Sequence, residues 1–325
     1  MADRAADATS ARAPDFYIVG HAKCGTTALY EMLNEHPRIF MPALKEPLYF
    51  ATDLRLRFQR RAAGSLPTEL GDYLALFVGA APGQIVGEAS SSYLWSHEAA
   101  AGIAALRPDA KIIAILREPA SFLRSLHLQL LQNHIETEKD LRRAIELEPE
   151  RQAGRRIPKR SVRPQALFYS ERVRYVEQLR RYREVFPEEQ LLVLIYDDFR
   201  ADNEGTVRRV LQFLGIEDAV AVGAREANPT VRMRSHLLDD AVHAVSVGAG
   251  PLSRAVKGIV KALTPAPLRR RALELAQQRL VLGRPQPEDK ALTAELKRRF
   301  RPEVAALGEY LDRDMLGLWG YDDAG

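Results

Sequence analysis

Two places in this chain carry residue types and spacing suited to holding an anion. The first is the loop Gly20-His21-Ala22-Lys23-Cys24-Gly25, which runs straight into Thr26 and Thr27. Glycines let a backbone come close to an anion, and unpaired amides at a helix start point toward it. Lys23 adds a full charge, and the two threonines add hydroxyl donors. The second place is Arg117, which ends the apolar run 111–116. A guanidinium at a strand end forks onto phosphate oxygens with two parallel hydrogen bonds.

The spacing narrows the kind of anion. A nucleoside-triphosphatase loop has a glycine, four residues, then Gly-Lys-Ser/Thr. Here Gly20 and Gly25 have that separation, but Thr26 stands where the lysine belongs and the lysine sits inside the loop at position 23. Triphosphate chemistry also needs Mg²⁺, held in part by an acidic residue at the end of a later strand. The corresponding strand in this chain ends in Arg117, which argues for direct, metal-free binding of a different phosphate. A Mg²⁺-dependent kinase stays open as the alternative, as does a nucleotide-binding or membrane-surface protein without catalysis.

Lys23-Cys24-Gly25-Thr26-Thr27 resembles the 5′-phosphosulfate loop of sulfotransferases that use 3′-phosphoadenosine 5′-phosphosulfate (PAPS). Residues 112–125, IIAILREPASFLRS, resemble that family's second motif, in which a strand ends in arginine and a serine follows eight residues later. The two motifs occur in the family's order. A weaker resemblance extends over 15–235 and resumes in LGEYLDRDMLGLWGY near the C-terminus.

The resemblance implies a set of roles. Lys23 would stabilise the phosphate oxygen that gains charge as the sulfuryl group leaves, with Cys24, Gly25, Thr26 and Thr27 around the 5′-phosphate. Arg117 and Ser125 would hold the 3′-phosphate, joined by Arg232 and Arg234 from a late loop. Tyr169 would sit near the nucleotide, and residues 90–93 would border the acceptor cleft. The acceptor must also lose a proton. Glu46, within Lys45-Glu46-Pro47-Leu48-Tyr49-Phe50, matches the glutamate base of heparan-type enzymes, while His97, His127 and His134 are rivals. Cys24 lies beside a lysine and a helix start, a setting that lowers a thiol's pKa, but no Cys/His arrangement supports a catalytic thiolate.

The elements that must position these residues follow from periodicity. Strands are predicted at 16–19, 84–88, 111–116 and 190–196, with a shorter one within 38–50. Helices are predicted from 26, around 70–77, and at 98–106, 122–133, 170–186 and 207–214. Strands alternating with helices imply an α/β fold, a single P-loop-like domain over 15–325 whose central parallel sheet has helices on both faces. Residues 149–164 read as a mobile basic loop. Residues 236–285 read as a helical insertion or lid. Its apolar stripe, with Arg254, Lys257 and Lys261 elsewhere around the helix, fits either a core-packed helix or a peripheral membrane contact through 252–280.

Composition sets outer bounds. The 325 residues are 46% hydrophobic and 28% charged, ordinary for a globular protein. A net charge of +4 suits an anionic cosubstrate without indicating nucleic acid. With one cysteine there is no internal disulfide, and no His/Cys cluster suggests a metal site. Residues 1–14 read as a disordered tail, and no apolar run is long enough to span a membrane. The expectation is a cytoplasmic enzyme acting on a small-molecule, glycan or lipid acceptor.

Overall fold

Five apolar segments pair into one parallel sheet: β1 (Phe16–Gly20), β2 (Ile39–Phe40), β3 (Ile85–Ala89), β4 (Lys111–Leu116) and β5 (Leu191–Ile195). The structure, a computed structural model, describes residues 12–54, 66–159, 161, 163–217 and 289–322, together with the backbone of two short strands near 232 and 282. The strand order is β2-β3-β1-β4-β5. Central strands of a parallel sheet are covered on both faces, so they read as unbroken apolar runs. All five residues of β1 are buried, as are Ile112 through Leu116 in β4.

The helices are α1 (Thr26–Asn34), α2 (Leu70–Leu74), α3 (Ala99–Leu106), α4 (Pro119–Gln132), α5 (Leu141–Glu146), α6 (Glu148–Gln152), α7 (Tyr175–Arg183), α8 (Tyr196–Ala201), α9 (Asn203–Leu214), α10 (Lys290–Leu311) and α11 (Met315–Trp319). They gather in two groups. In one, α1 packs with α9; in the other, α10 packs on α4 and α7, and α3 on α7.

This order puts the site where open α/β sheets usually place one. From β1 the chain runs outward to β2 and β3, then crosses to β4 and continues to β5 on the far side. The segments leaving β1 and β4 therefore diverge, opening a crevice at the carboxyl ends of those adjacent strands. Gly20 pairs in register with Ile115, so the loop after β1 and Arg117 after β4 face each other across that crevice.

The C-terminal segment braces the same corner. Glu118 caps α4 by accepting from the Ala120 and Ser121 amides at 2.8 and 2.7 Å, and the Tyr321 hydroxyl donates to the same carboxylate. Trp319 Nε1 donates to Asp197 at the start of α8, 2.9 Å away. Lys297 on α10 donates to the Trp319 and Gly320 carbonyls at 2.8 and 2.9 Å. The turn after Arg117 is thus held from two directions.

Three local expectations change. The predicted helix at 170–186 is a short 3₁₀ turn, Glu171–Val173, followed by α7. The helix after Arg117 starts earlier than predicted, with Pro119 at its first position, where a missing amide costs nothing. The stretch read as a basic loop begins with α6, and its Arg151 is buried rather than solvated. Residues 229–289 form a separate compact unit, within which β6 (Arg232–Met233) pairs antiparallel with β7 (Leu282–Gly283). The amphipathic stretch 252–280 lies outside the described residues.

Candidate active site

The loop between β1 and α1 is shaped by its two glycines. A side chain at Gly20 would come within 2.7 Å of the Ile115 carbonyl oxygen. Gly25 has φ 91° and would press a side chain against Tyr196 and Phe199 at 3.0 and 3.2 Å. Gly25 is also the N-cap of α1 and brings no side chain to satisfy the first amides. Among the described residues no acceptor takes the Thr26, Thr27 or Ala28 amide; the first bond of the turn is Leu29 N–H to the Gly25 carbonyl, 3.1 Å. Orphan amides at the start of a nine-residue helix, beside a lysine, fit a phosphate.

Lys23 is a non-glycine residue at φ 74°, a left-handed conformation that costs about 1–3 kcal/mol and persists only where the surroundings enforce it. Arg117 enforces it: its Nη1 donates to the Lys23 carbonyl at 2.9 Å while its guanidinium lies 4.8 Å from the Tyr196 ring centre. Tyr175 donates to the Arg117 carbonyl at 2.8 Å. Burial, and then the neighbouring Arg117 charge, hold the Lys23 ammonium below its ordinary pKa. An arriving anion would reverse that second effect and favour the charged form.

Glu46 has the same kind of strain. It sits at φ 59° with Leu48 at φ 54°, so Pro47 is flanked by two left-handed residues. The loop is tied to the sheet by Glu46 N–H to the Ala89 carbonyl (3.0 Å) and by Leu48 N–H to Ser90 Oγ (3.2 Å). The Glu46 carboxylate is fixed by Ser91, whose amide and hydroxyl donate to its two oxygens at 2.9 and 2.8 Å. Lys45 joins this loop to the first one. Its ammonium donates to Thr27 Oγ1 at 2.8 Å and lies 3.6 Å from Glu46 Oε1.

A profile of the sulfotransferase domain matches residues 13–231. The chain belongs to the sulfotransferase domain family. It is 29% identical over 249 residues to carbohydrate sulfotransferase 15 of Mus musculus, covering 62% of this chain and 44% of that protein. It is 28% identical over 211 residues to heparan sulfate glucosamine 3-O-sulfotransferase 3A1 of Mus musculus, covering 65% and 48%. The chain thus spans less than half the length of these relatives. Among solved structures, a sulfotransferase from Alicyclobacillus acidocaldarius is 26% identical with a TM-score of 0.64, covering 95% of this chain and 99% of that one.

The sulfotransferase domain brings Lys23, Gly25, Thr26, Thr27, Arg117 and Glu46 into one contiguous set through the contacts above. Ser125 is buried on α4, two turns into the helix that follows Arg117. Cys24 lies inside the loop but is fully buried, which pushes its thiol up to about 12. Burial outweighs the neighbouring charge, so the reactivity its sequence setting suggested does not arise.

Tyr169 goes elsewhere. Its hydroxyl donates to Glu136 at 3.0 Å and pairs with His127 Nδ1 at 2.9 Å, in a buried network completed by Arg151, which grips Glu136 through both terminal nitrogens at 2.7 and 2.9 Å. The tyrosine that reaches the crevice is Tyr175, six residues further on. His127 is committed to the same network, and burial lowers its pKa. His97 lines a small polar pocket with Trp95 and Glu171, and His134 occupies a left-handed turn after α4. Arg234 and the Arg232 side chain lie outside the described residues. Sequence reasoning missed Lys45, although it adjoins Glu46. Its reach to Thr27 is a tertiary contact that no local pattern shows.

Proposed function

We propose that the chain transfers a sulfuryl group from PAPS to a hydroxyl or amine of an acceptor, in line and without a metal. The observation that carries this reading is the Lys45 bridge. One ammonium touches both the phosphate loop, at Thr27, and the candidate base, Glu46. The anion site and the proton-accepting carboxylate are therefore neighbours, as a transfer between two bound partners requires.

The chain's residues divide the work. The orphan amides of α1 and the Lys23 ammonium hold the 5′-phosphate side and stabilise the oxygen that keeps the electron pair of the breaking S–O bond. Arg117 and Ser125 take the 3′-phosphate. Glu46, oriented by Ser91, accepts the proton as the acceptor oxygen bonds to sulfur. Lys45 lies between that carboxylate and the phosphate loop, where it would counter the charge of the group in transit. Strain at both Lys23 and Glu46 supports the assignment, since such conformations concentrate at sites of function. The names of the matched relatives, a carbohydrate and a heparan sulfate sulfotransferase, support a glycan acceptor.

The test is transfer from radiosulfur-labelled PAPS into pooled glycan, phenol and lipid acceptors, with a metal chelator present. Label should enter a sugar acceptor with the wild-type chain and be lost with Glu46→Gln. Transfer that requires added Mg²⁺, or undiminished transfer by Glu46→Gln to a sugar hydroxyl, would contradict the reading.

A further inference from the structure

A buried carboxyl group lies beneath the Glu46 loop, and no step above uses it. Glu88 on β3 is fully buried and enters no ion pair among the described residues. A carboxyl taken out of water without a cation is costly to keep. What faces it is a set of hydroxyls. Tyr73 on α2 and Tyr93 in the 3₁₀ turn Ser91–Trp95 donate to one of its oxygens at 2.9 and 3.0 Å, and Tyr17 is its neighbour in register on β1. Burial raises the carboxyl to about 7, and the Glu46 charge acts in the same direction.

The two tyrosines that meet on Glu88 also hold the loop that carries Glu46. The Tyr73 ring stacks on Tyr49 with centres 4.5 Å apart and planes 14° apart, and meets Phe50 edge-on at 5.2 Å. The Tyr93 hydroxyl, while donating to Glu88, accepts from the Phe50 amide at 3.3 Å. The residues that follow Glu88 supply the remaining ties, Ala89 to the Glu46 amide and Ser90 to the Leu48 amide. The loop needs such ties, because left-handed residues at 46 and 48 persist only where their neighbours over-determine them. An apolar side chain at 88 would leave two buried hydroxyls without their acceptor.

We propose that Glu88 is a positioning residue for the base: through Tyr73 and Tyr93 it fixes the 46–50 loop in the strained conformation that aims Glu46 at the acceptor. The proposal rests on the transferase reading, in which Glu46 takes the acceptor's proton. Among the described residues, the side-chain hydrogen bonds and ring contacts of Glu88, Tyr73 and Tyr93 reach residues 49 and 50 and none in the phosphate loop 20–27. Loosening this hub should therefore impair proton removal and spare the donor.

Three variants of the full chain test this. Tyr93→Phe keeps the ring and removes the shared hydroxyl, Glu88→Leu removes the acceptor of both tyrosines, and Glu88→Gln keeps an acceptor oxygen. Hydrogen exchange is read at the Glu46 and Leu48 amides, whose own acceptors are untouched. Tyr93→Phe and Glu88→Leu should speed exchange there by about tenfold or more with 20–27 near wild type, and Glu88→Gln should restore most of the protection. Radiosulfur transfer then separates positioning from general damage. The kcat toward methyl β-D-glucoside should fall about ten- to a hundredfold in the first two variants. Transfer to 4-nitrophenol, an acidic phenol that ionises without help, should stay within about threefold. Affinity for adenosine 3′,5′-bisphosphate should stay within about twofold. Thermal unfolding checks Glu88→Leu, and if it does not fold, Tyr93→Phe and Glu88→Gln carry the decision. Unchanged exchange at Glu46 and Leu48 in Tyr93→Phe, or equal loss of transfer to both acceptors, overturns the proposal. If wild type labels neither acceptor, the transferase reading is what fails, and the exchange rates still decide whether Glu88 fixes the loop.

Discussion

Arg151 and Arg172 are both buried guanidiniums, and they differ in what they meet. Arg151 grips Glu136 through two nitrogens, and that carboxylate also receives Tyr169 and the Thr137 and Glu138 amides. Arg172 meets a neutral histidine, an indole face and another arginine's charge. The first cluster is closed: its charges cancel within the protein, and its role is to fasten α4, α6 and the segment before α7 together. The second meets no carboxylate among the described residues and lies against His21 of the phosphate loop, where Lys23 is held below its ordinary pKa and strained. A cluster whose charges cancel serves as scaffold, whereas a cation against the phosphate loop suits the anion proposed to bind there.

The comparison can be broken by substitutions that should move stability in one region and chemistry in the other. The largest effect is expected from Glu46→Gln, which should lower transfer to an alcohol or sugar acceptor by about 10²- to 10⁴-fold with nucleotide affinity retained. Single-turnover rates would check this, and a nearly active variant would return the base to His97, His127 or His134. In the closed cluster, Arg151→Ala should leave Glu136 buried and unpaired and destabilise the fold by about 3–5 kcal/mol, as read by denaturant unfolding. An unchanged midpoint would mean the cluster is not scaffold. Lys23→Ala should lower the transfer rate by about 10²- to 10³-fold with the unfolding midpoint nearly unmoved. Activity within threefold of wild type would remove Lys23 from the leaving-group role.

A smaller, pH-dependent effect sharpens the contrast. Glu88 is fully buried on β3 under the Glu46 loop, with Tyr73 and Tyr93 donating to one oxygen at 2.9 and 3.0 Å, and burial raises its carboxyl from 4.5 to about 7. A carboxyl whose folded pKa lies above its unfolded value keeps its proton longer in the native state. Its contribution therefore favours folding at low pH and is lost as pH rises from 4.5 toward 7. Glu88→Gln should flatten that part of the stability–pH curve. A slope identical to wild type would show that Glu88 does not titrate there.

The parts legible in the sequence are those set by short-range pattern. The run 16–33 displays strand, glycine loop and helix because each uses residues adjacent in the chain, and Arg117 is visible because strand β4 ends on it. The misreadings involve contacts between distant residues or competition between effects. Arg151 sits in an Arg-rich stretch, so composition reads it as solvated, yet its partner lies 15 positions back at Glu136. Tyr169 and Tyr175 both precede or open α7, and only packing reveals which one turns toward Arg117. For Cys24 the neighbouring charge was evident but the burial was not. That Arg172 meets His21 and Trp95, and no carboxylate among the described residues, has no local signature, because its neighbours are distant in the chain.

The central claim is that the β1–β4 crevice is built for a nucleotide phosphorylated at both the 3′ and 5′ positions. Calorimetry of the full chain, in chelator, with adenosine 3′,5′-bisphosphate and with AMP tests it most directly. Arg117 and Ser125 predict that the bisphosphate binds without metal and about ten- to a hundredfold more tightly than AMP, a gap that Arg117→Ala closes. Equal affinities in the wild-type chain, or a preference for ATP that appears only with Mg²⁺, would contradict it.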